Sequence, residues 1–261
     1  KGIEINVVDF DGENLKQITN DKTLNLTPTW SPNGRWLVYT SYAGNNPDLI
    51  MIDNLGKKPK RTLLRLSGLN AAPSWSPVDD RLTLVLSKDE NSEIYTLSNN
   101  RTLRRLTRHF NIDTSPTWSP DGKKIAFTSD RSGRGAPQIY IMDAHHGDKA
   151  GVQRISFGSS YNDNPAWSPD GDKIAYTARV GRRFQIKVYD LVTKKSTILT
   201  RERGNNEQPT WSPDGRFIAY RHKVGSTMST YIQRLGSDKV RQLSFGGDGG
   251  ASPSWSPYLN H

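Results

Sequence analysis

The chain contains no cysteine, which excludes disulfides and thiolate metal sites and leaves the redox compartment open. It has no apolar run near the roughly 18 residues of a membrane span. Only 33% of its residues are strongly apolar, and these recur in short runs of four to seven between Gly and Pro clusters. That pattern suits many short strands rather than helices. The signatures of common catalytic centres are also missing: no G-x-S-x-G elbow, no H-E-x-x-H and no P-loop occurs among the 261 residues. Negative charge is the scarcer sign, and the net charge of +10 favours acidic partners such as nucleic acid, anionic lipid headgroups or an acidic protein face. Residue 1 is Lys, not Met, so the chain reads as a mature or trimmed fragment, and a missing leader carries no weight on export.

What the sequence does have is one phrase, Pro-x-Trp-Ser-Pro, repeated six times. The first prolines are Pro28, Pro73, Pro116, Pro165, Pro209 and Pro253, with Trp30, Trp75, Trp118, Trp167, Trp211 and Trp255 two positions on. The spacings are 45, 43, 49, 44 and 44 residues, the period range of propellers and repeat arrays. Within one period the clearest segments are the tryptophan strand, Lys124–Ser129, Gln138–Asp143 and Val152–Ser156. Four short strands per period match a propeller blade.

The expected fold is therefore all-β: a six-bladed β-propeller of four-stranded antiparallel blades, one domain over residues 1–261, with blades beginning near 28, 73, 116, 165, 209 and 253. The last phrase is followed only by Tyr258–His261, whereas residues 1–26 hold two strands, Ile3–Val8 and Leu15–Thr19, with no phrase before them. These resemble the outer two strands of a blade, so the last blade is expected to close with strands from both termini, which removes exposed edges. The two terminal pieces amount to 35 residues against about 44 for a repeat. One strand is short, and the natural chain is expected to extend upstream of Lys1 into a domain absent here.

The turn after each phrase has a physical basis: Pro sets φ near −65°, Asp or Asn tolerates unusual geometry, and Gly takes positive φ without a steric cost. Blade two departs, with Val78-Asp79-Asp80 and no glycine, so a different or strained turn is expected there. The tryptophans are expected to pack blade against blade.

Pro-x-Trp-Ser-Pro-Asp-Gly, then Lys-x-Ile-Ala-Phe-Thr-Ser and x-Ile-Tyr-x-Met-Asp, stands almost unaltered in residues 116–129 and 138–143. It resembles the TolB-type propeller repeat, and the resemblance covers essentially the whole chain. The ending Ser254-Trp255-Ser256-Pro257-Tyr258-Leu259 is similar to that family's C-terminus. The resemblance implies a non-catalytic binding scaffold of the periplasmic Tol-Pal cell-envelope system, with a role in cell division. Its implied partners are a lipoprotein such as the peptidoglycan-associated Pal, docked at the tunnel mouth, and other Tol proteins. Neither nucleic acid nor membrane insertion is implied, and a monomer is expected. Similar repeats occur in oligogalacturonate lyases and prolyl oligopeptidase-like propellers, which stay open as alternatives.

Antiparallel order puts the connection into each innermost strand and the loop between strands two and three on one face. The residues three before each first proline are Asn25, Asn70, Asp113, Asn162, Asn206 and Gly250, followed by Leu26, Ala71, Thr114, Asp163, Glu207 and Ala251. Asn25, Asn70, Asp113, Thr114, Asn162, Asp163, Asn206 and Glu207 form an expected polar, mildly anionic collar for a partner. Their short side chains could equally cap turns. No cofactor is implied, although a cation such as calcium suits a collar of oxygens in the central channel. The adjoining loops are basic in blades three to five, notably Arg131, Arg134, Arg182 and Arg183, and acidic in blades one and two, with Asp48, Asp89, Glu90 and Glu93. Opposed sectors would orient an incoming protein.

Overall fold

The computed structural model describes residues 2–53, 57–133, 135–243 and 252–257. Five antiparallel sheets of four strands follow one another along the chain. Blade I comprises β3 (Asn25–Trp30), β4 (Trp36–Ser41), β5 (Asp48–Asp53) and β6 (Arg61–Leu64). Blade II comprises β7 (Asn70–Trp75), β8 (Leu82–Asp89), β9 (Asn91–Leu97) and β10 (Leu103–Arg105). Blade III comprises β11 (Asp113–Trp118), β12 (Lys124–Ser129), β13 (Gln138–Asp143) and β14 (Gly147–Arg154). Blade IV runs through β15 (Asn162–Trp167), β16 (Lys173–Val180), β17 (Arg183–Asp190) and β18 (Ser196–Ile198), and blade V through β19 (Asn205–Trp211), β20 (Phe217–Val224), β21 (Thr227–Arg234) and β22 (Val240–Gln242). Each sheet is ordered first strand to fourth, and the first strands of successive blades lie against one another. The arrangement is a β-propeller.

The sixth repeat differs from expectation. The N-terminal segment makes a two-stranded sheet of β1 (Asn6–Val7) and β2 (Lys16–Gln17), shorter than the sequence suggested, and residues 252–257 around Trp255 form no strand. Among the described residues there are five four-stranded blades, not six. Among the described residues no strand pairs with the Trp255 segment as β4 pairs with β3. The two ends nevertheless meet. Trp30 Nε1 donates to Ser254 O at 3.4 Å, and the Arg241 guanidinium donates to Asp11 O. The N-terminal Ile5 and Ile18 pack on Leu37 and Tyr39 of blade I, and Trp255 packs on the Ala219–Ile232–Leu243 cluster.

The innermost strands begin three residues earlier than the phrase suggested, because each passes through its first proline by a bulge. Thr27, Ala72, Ser115, Asn164 and Gln208, the residues before those prolines, all have φ between +50° and +55°, and the ladder register shifts there in every blade. Proline has no N–H for the ladder, and the residue before it is ordinarily extended. A left-handed residue there is local strain that the pairing of the surrounding sheet must hold in place.

Packing between blades uses the phrase itself. Trp118 Nε1 donates to Ser74 O at 3.2 Å and Trp211 Nε1 to Ala166 O at 3.0 Å, each reaching the inner strand of the preceding blade. The turns nest likewise. Gly122, at φ +68°, would place a Cβ 2.4 Å from Val78 Cγ2 in the turn of blade II. That turn, without glycine, instead uses Asp79, whose carboxylate accepts from Arg81 N at 3.1 Å and Arg81 Nε at 2.8 Å.

Candidate protein-docking face

Five of the collar residues stand in the first two positions of inner strands and are buried: Asn25, Asn70, Asp113, Asn162 and Asn206 are at most 1% exposed. Three of them complete one recurring hydrogen-bonded unit between blades. Asn162 Nδ2 donates to Gln138 Oε1 at 2.8 Å, an oxygen that also accepts from Ser156 Oγ, which in turn accepts from Ile139 N. Asn206, Gln185, Thr200 and Ile186 repeat the unit. So do Asn25, Glu4, Thr19 and Ile5. Asn70 instead folds back on Leu66 O and Pro47 O. Only Asn70 bonds nearby backbone as a turn cap does, through Leu66 O and Gly68 O; the polar atoms of Asn25, Asn162 and Asn206 join one blade to the next.

Blade III carries an acid where its neighbours carry an amide. Glu93 keeps its place in the unit, accepting from Thr107 Oγ1, which accepts from Ile94 N. Arg105 Nη2 donates to Glu93 at 2.9 Å. The partner across the blade junction is Asp113, so two carboxylates, both 0% exposed, meet where an amide N–H would otherwise be given. Asp113 Oδ2 accepts from Arg131 Nη2 at 2.8 Å, and its Oδ1 has no partner. Burial pushes the Asp113 carboxyl up to about 6, with the Arg131 charge opposing that rise and the Glu93 charge adding to it.

Of the other sites expected from sequence, Arg131 is mostly buried, holding Asp113 and lying over Phe127 and Tyr140 at 5.0 and 5.4 Å. Thr114, Asp163 and Glu207 are half-buried on the inner strands. Asp163 joins blades III and IV, accepting from Thr128 Oγ1 at 2.8 Å, Ser115 Oγ at 3.1 Å and Tyr161 OH at 3.1 Å. Burial and the Asp163 charge hold the Tyr161 hydroxyl above its ordinary range. Glu207 pairs with Arg221. Arg182, in the β16–β17 turn, and Arg183, the first residue of β17, are exposed. Arg134, Gly250 and Ala251 lie outside the described residues.

The charge pattern of this face is also simpler than expected. Asp48 is buried against Arg65, Glu93 against Arg105, and Asp89 pairs with Lys88, while Glu90 stays exposed. Arg179, Arg182, Arg183 and Lys223 remain exposed.

The sequence reading missed the apolar component. Phe110 is 86% exposed, Phe157 62% and Ile112 51%, and all three sit in connections that lead into an inner strand. Direct contacts place these connections beside the loops between second and third strands. Asn91 Nδ2 donates to His109 O and Asn111 O at 3.0 and 2.7 Å. Ile112 N donates to Asp130 Oδ1 at 2.9 Å, Ser159 Oγ to Arg179 O at 2.8 Å, and the Tyr161 and Phe184 rings lie 5.1 Å apart. The available signal was an aromatic out of strand register: Phe110 and Phe157 each stand in a polar stretch, His109 to Asn111 and Ser156 to Ser160. Exposed aromatics with arginines are the composition of the energetic centres of protein interfaces. Among the described residues no group of three or more His, Asp or Glu converges as a metal site.

Comparison with known proteins follows the same lines. Residues 1–259 match the family model of the TolB beta propeller domain. "Protein TolB homolog" of Chlorobium luteolum is 36% identical over 135 residues, 51% of this chain and 30% of that protein. "Tol-Pal system protein TolB" of Desulfosudis oleivorans is 42% identical over 109 residues, 40% of this chain and 24% of that protein. The alignments thus span under a third of these relatives' length. The crystal structure of TolB from Acinetobacter baumannii superposes with a TM-score of 0.80 at 28% identity, covering 98% of this chain and 63% of that one.

Proposed function

The chain belongs to the TolB beta-propeller domain family, and from that premise we propose that it is a non-catalytic protein-binding scaffold of a periplasmic Tol-Pal system. Its partner is a lipoprotein of the Pal kind, docked on the face that carries Phe110, Ile112 and Phe157. The carrying observation is the coincidence on one face of three exposed apolar side chains with the exposed Arg179, Arg182 and Arg183. The aromatics supply desolvated contact area, and the arginines grip carboxylates on the incoming protein. The name of one relative places that relative in the Tol-Pal system. The inward-facing asparagines act indirectly, fixing the loops that present the contact residues.

We further infer that β1, β2 and the Trp255 segment belong to a sixth, incomplete blade. The support is a repeated contact: Trp30 Nε1 to Ser254 O has the same form as Trp118 to Ser74 and Trp211 to Ala166, which are bonds between adjacent blades.

Calorimetric titration of the chain with the cognate lipoprotein tests the reading. A 1:1 complex is expected, weakened at least roughly tenfold when Phe110 and Phe157 are both changed to Ser, as for interface hot spots, and weakened by salt. A complex indifferent to Phe110 and Phe157 but lost on substitution elsewhere would move the docking face. No complex with the cognate protein would sink the proposal.

A further inference from the structure

A second charged surface lies at the opposite ends of the strands. Trp36 opens β4, half-buried, and three cations crowd its indole: the Arg35 guanidinium at 5.3 Å from the ring centroid, the Lys58 ammonium at 5.5 Å and the Arg61 guanidinium at 5.6 Å. Lys57 is exposed beside them. The acid next to these cations in sequence is committed to the backbone: buried Asp53 accepts from Lys57 N at 2.8 Å and Lys58 N at 3.0 Å. Lys60 pairs with Asp21 at 2.6 Å. Among the described residues no carboxylate lies within ion-pair distance of Arg35, Lys57, Lys58 or Arg61. Arg101, in the neighbouring β9–β10 turn, is exposed at the same end of blade II, and Arg104 is exposed in β10.

Cations gathered on one ring without counter-charge repel one another, and an arriving anion relieves that repulsion. Cation–π contact holds them in place at their own cost in side-chain freedom. Phosphate suits such a site because arginine matches its oxygens bidentately and lysine adds a point charge. The cations are spread over one end of two adjacent blades, Arg35, Lys57, Lys58 and Arg61 on blade I and Arg101 on blade II, which suits many phosphates in one plane better than a single small ligand. A base-stacking nucleic acid fits less well, because the one aromatic is flanked by the cations themselves. We propose that the Arg35–Lys57–Lys58–Arg61 surface around Trp36 binds the headgroup phosphates of an anionic lipid bilayer, holding the propeller at a membrane surface without insertion. This surface lies at the strand ends opposite Phe110 and Arg182, so lipid and protein partners can be engaged together, and the inference does not depend on the identity of the protein partner.

Flotation with vesicles tests it. The chain is expected to partition onto vesicles of roughly 30% phosphatidylglycerol in phosphatidylcholine at least tenfold more than onto phosphatidylcholine alone, with the preference lost at high salt. Lys58→Glu with Arg61→Glu should remove the preference. Arg182→Glu with Arg183→Glu, the same charge change on the other face, should leave it within roughly threefold, since clustered charge near the surface dominates such binding. Lys57→Ala with Arg61→Ala, which introduces no new charge, should weaken binding in the same direction. Equal partitioning onto both vesicle types overturns the proposal. So does an equal loss in the two charge-reversed pairs, which would mark a net-charge effect, or capture by heparin without capture by vesicles.

Discussion

Replacing Asp113 with Asn should make the propeller more stable at neutral pH and remove one component of its pH dependence. An unfolded aspartate titrates near 3.9, whereas Asp113 in the fold is pushed up to about 6 by burial, against the pull of Arg131. The folded state therefore holds this proton more tightly than the unfolded one. The stabilisation is fully present below about pH 4 and is lost as pH rises through about 6. Two pKa units correspond to about 3 kcal/mol. Asparagine cannot ionise, and its Nδ2 would face Glu93 as Asn162 faces Gln138 at 2.8 Å, while its Oδ1 would still accept from Arg131. The assay is urea unfolding of both proteins from pH 4 to pH 7.5, plotted as the difference between them. Other carboxylates titrate alike in both and cancel. The difference should be within about 1 kcal/mol at pH 4, the worth of one altered hydrogen bond, and should shift in favour of the Asp113→Asn protein by about 3 kcal/mol by pH 7. A difference that stays flat across this range, or that favours the wild type increasingly as pH rises, would refute the reasoning.

Other outcomes follow from named contacts. Trp118→Phe removes the bond to Ser74 O and leaves that carbonyl with only its longer bond from Thr83 Oγ1 at 3.3 Å, for a loss of about 1 kcal/mol. Trp75→Phe removes a buried N–H that has no partner and should cost clearly less, so urea midpoints of the pair should diverge. Gly122→Ala forces a left-handed residue into 2.4 Å contact with Val78 and should destabilise by about 1–3 kcal/mol; adding Val78→Ala should recover part of that. Phe110→Ser with Phe157→Ser, at positions 86% and 62% exposed, should leave the thermal midpoint nearly unchanged while weakening the lipoprotein complex, which separates docking from folding.

The repeat period carried most of the fold. A tryptophan every 43 to 49 residues marks each innermost strand, and β12 and β13 lie at Lys124–Ser129 and Gln138–Asp143, the bounds read from sequence. What periodicity could not show was the backbone at the prolines. The positive φ of Ser115 and Asn164 is imposed by tertiary pairing and has no residue signature, so the strands begin three residues earlier than the phrase and swallow Asn25, Asp113 and Asn162. The same offset concealed how the collar residues pair. A polar residue at a strand start looks like a loop residue when the strand is thought to start later, and its hydrogen-bond partner, such as Gln138 for Asn162, is 24 residues away. Arg182 and Arg183 were legible because a two-residue hairpin turn exposes what it holds and the residue that leaves it. Phe110 and Phe157 were passed over because an isolated aromatic in sequence is usually core.

The contact between Trp30 and Ser254 joins residues 224 apart in sequence, whereas every blade ladder joins neighbouring strands along the chain. Blades can therefore form early and one by one, while the seam must wait until the whole array has ordered, since bringing distant segments together is the slow, entropically costly step. Reversed in time, the seam is where opening starts. The amides of β1 and β2 should exchange with solvent well before those of β12 and β13, and a protease should cut first beside the seam, leaving the middle blades as a transiently resistant core.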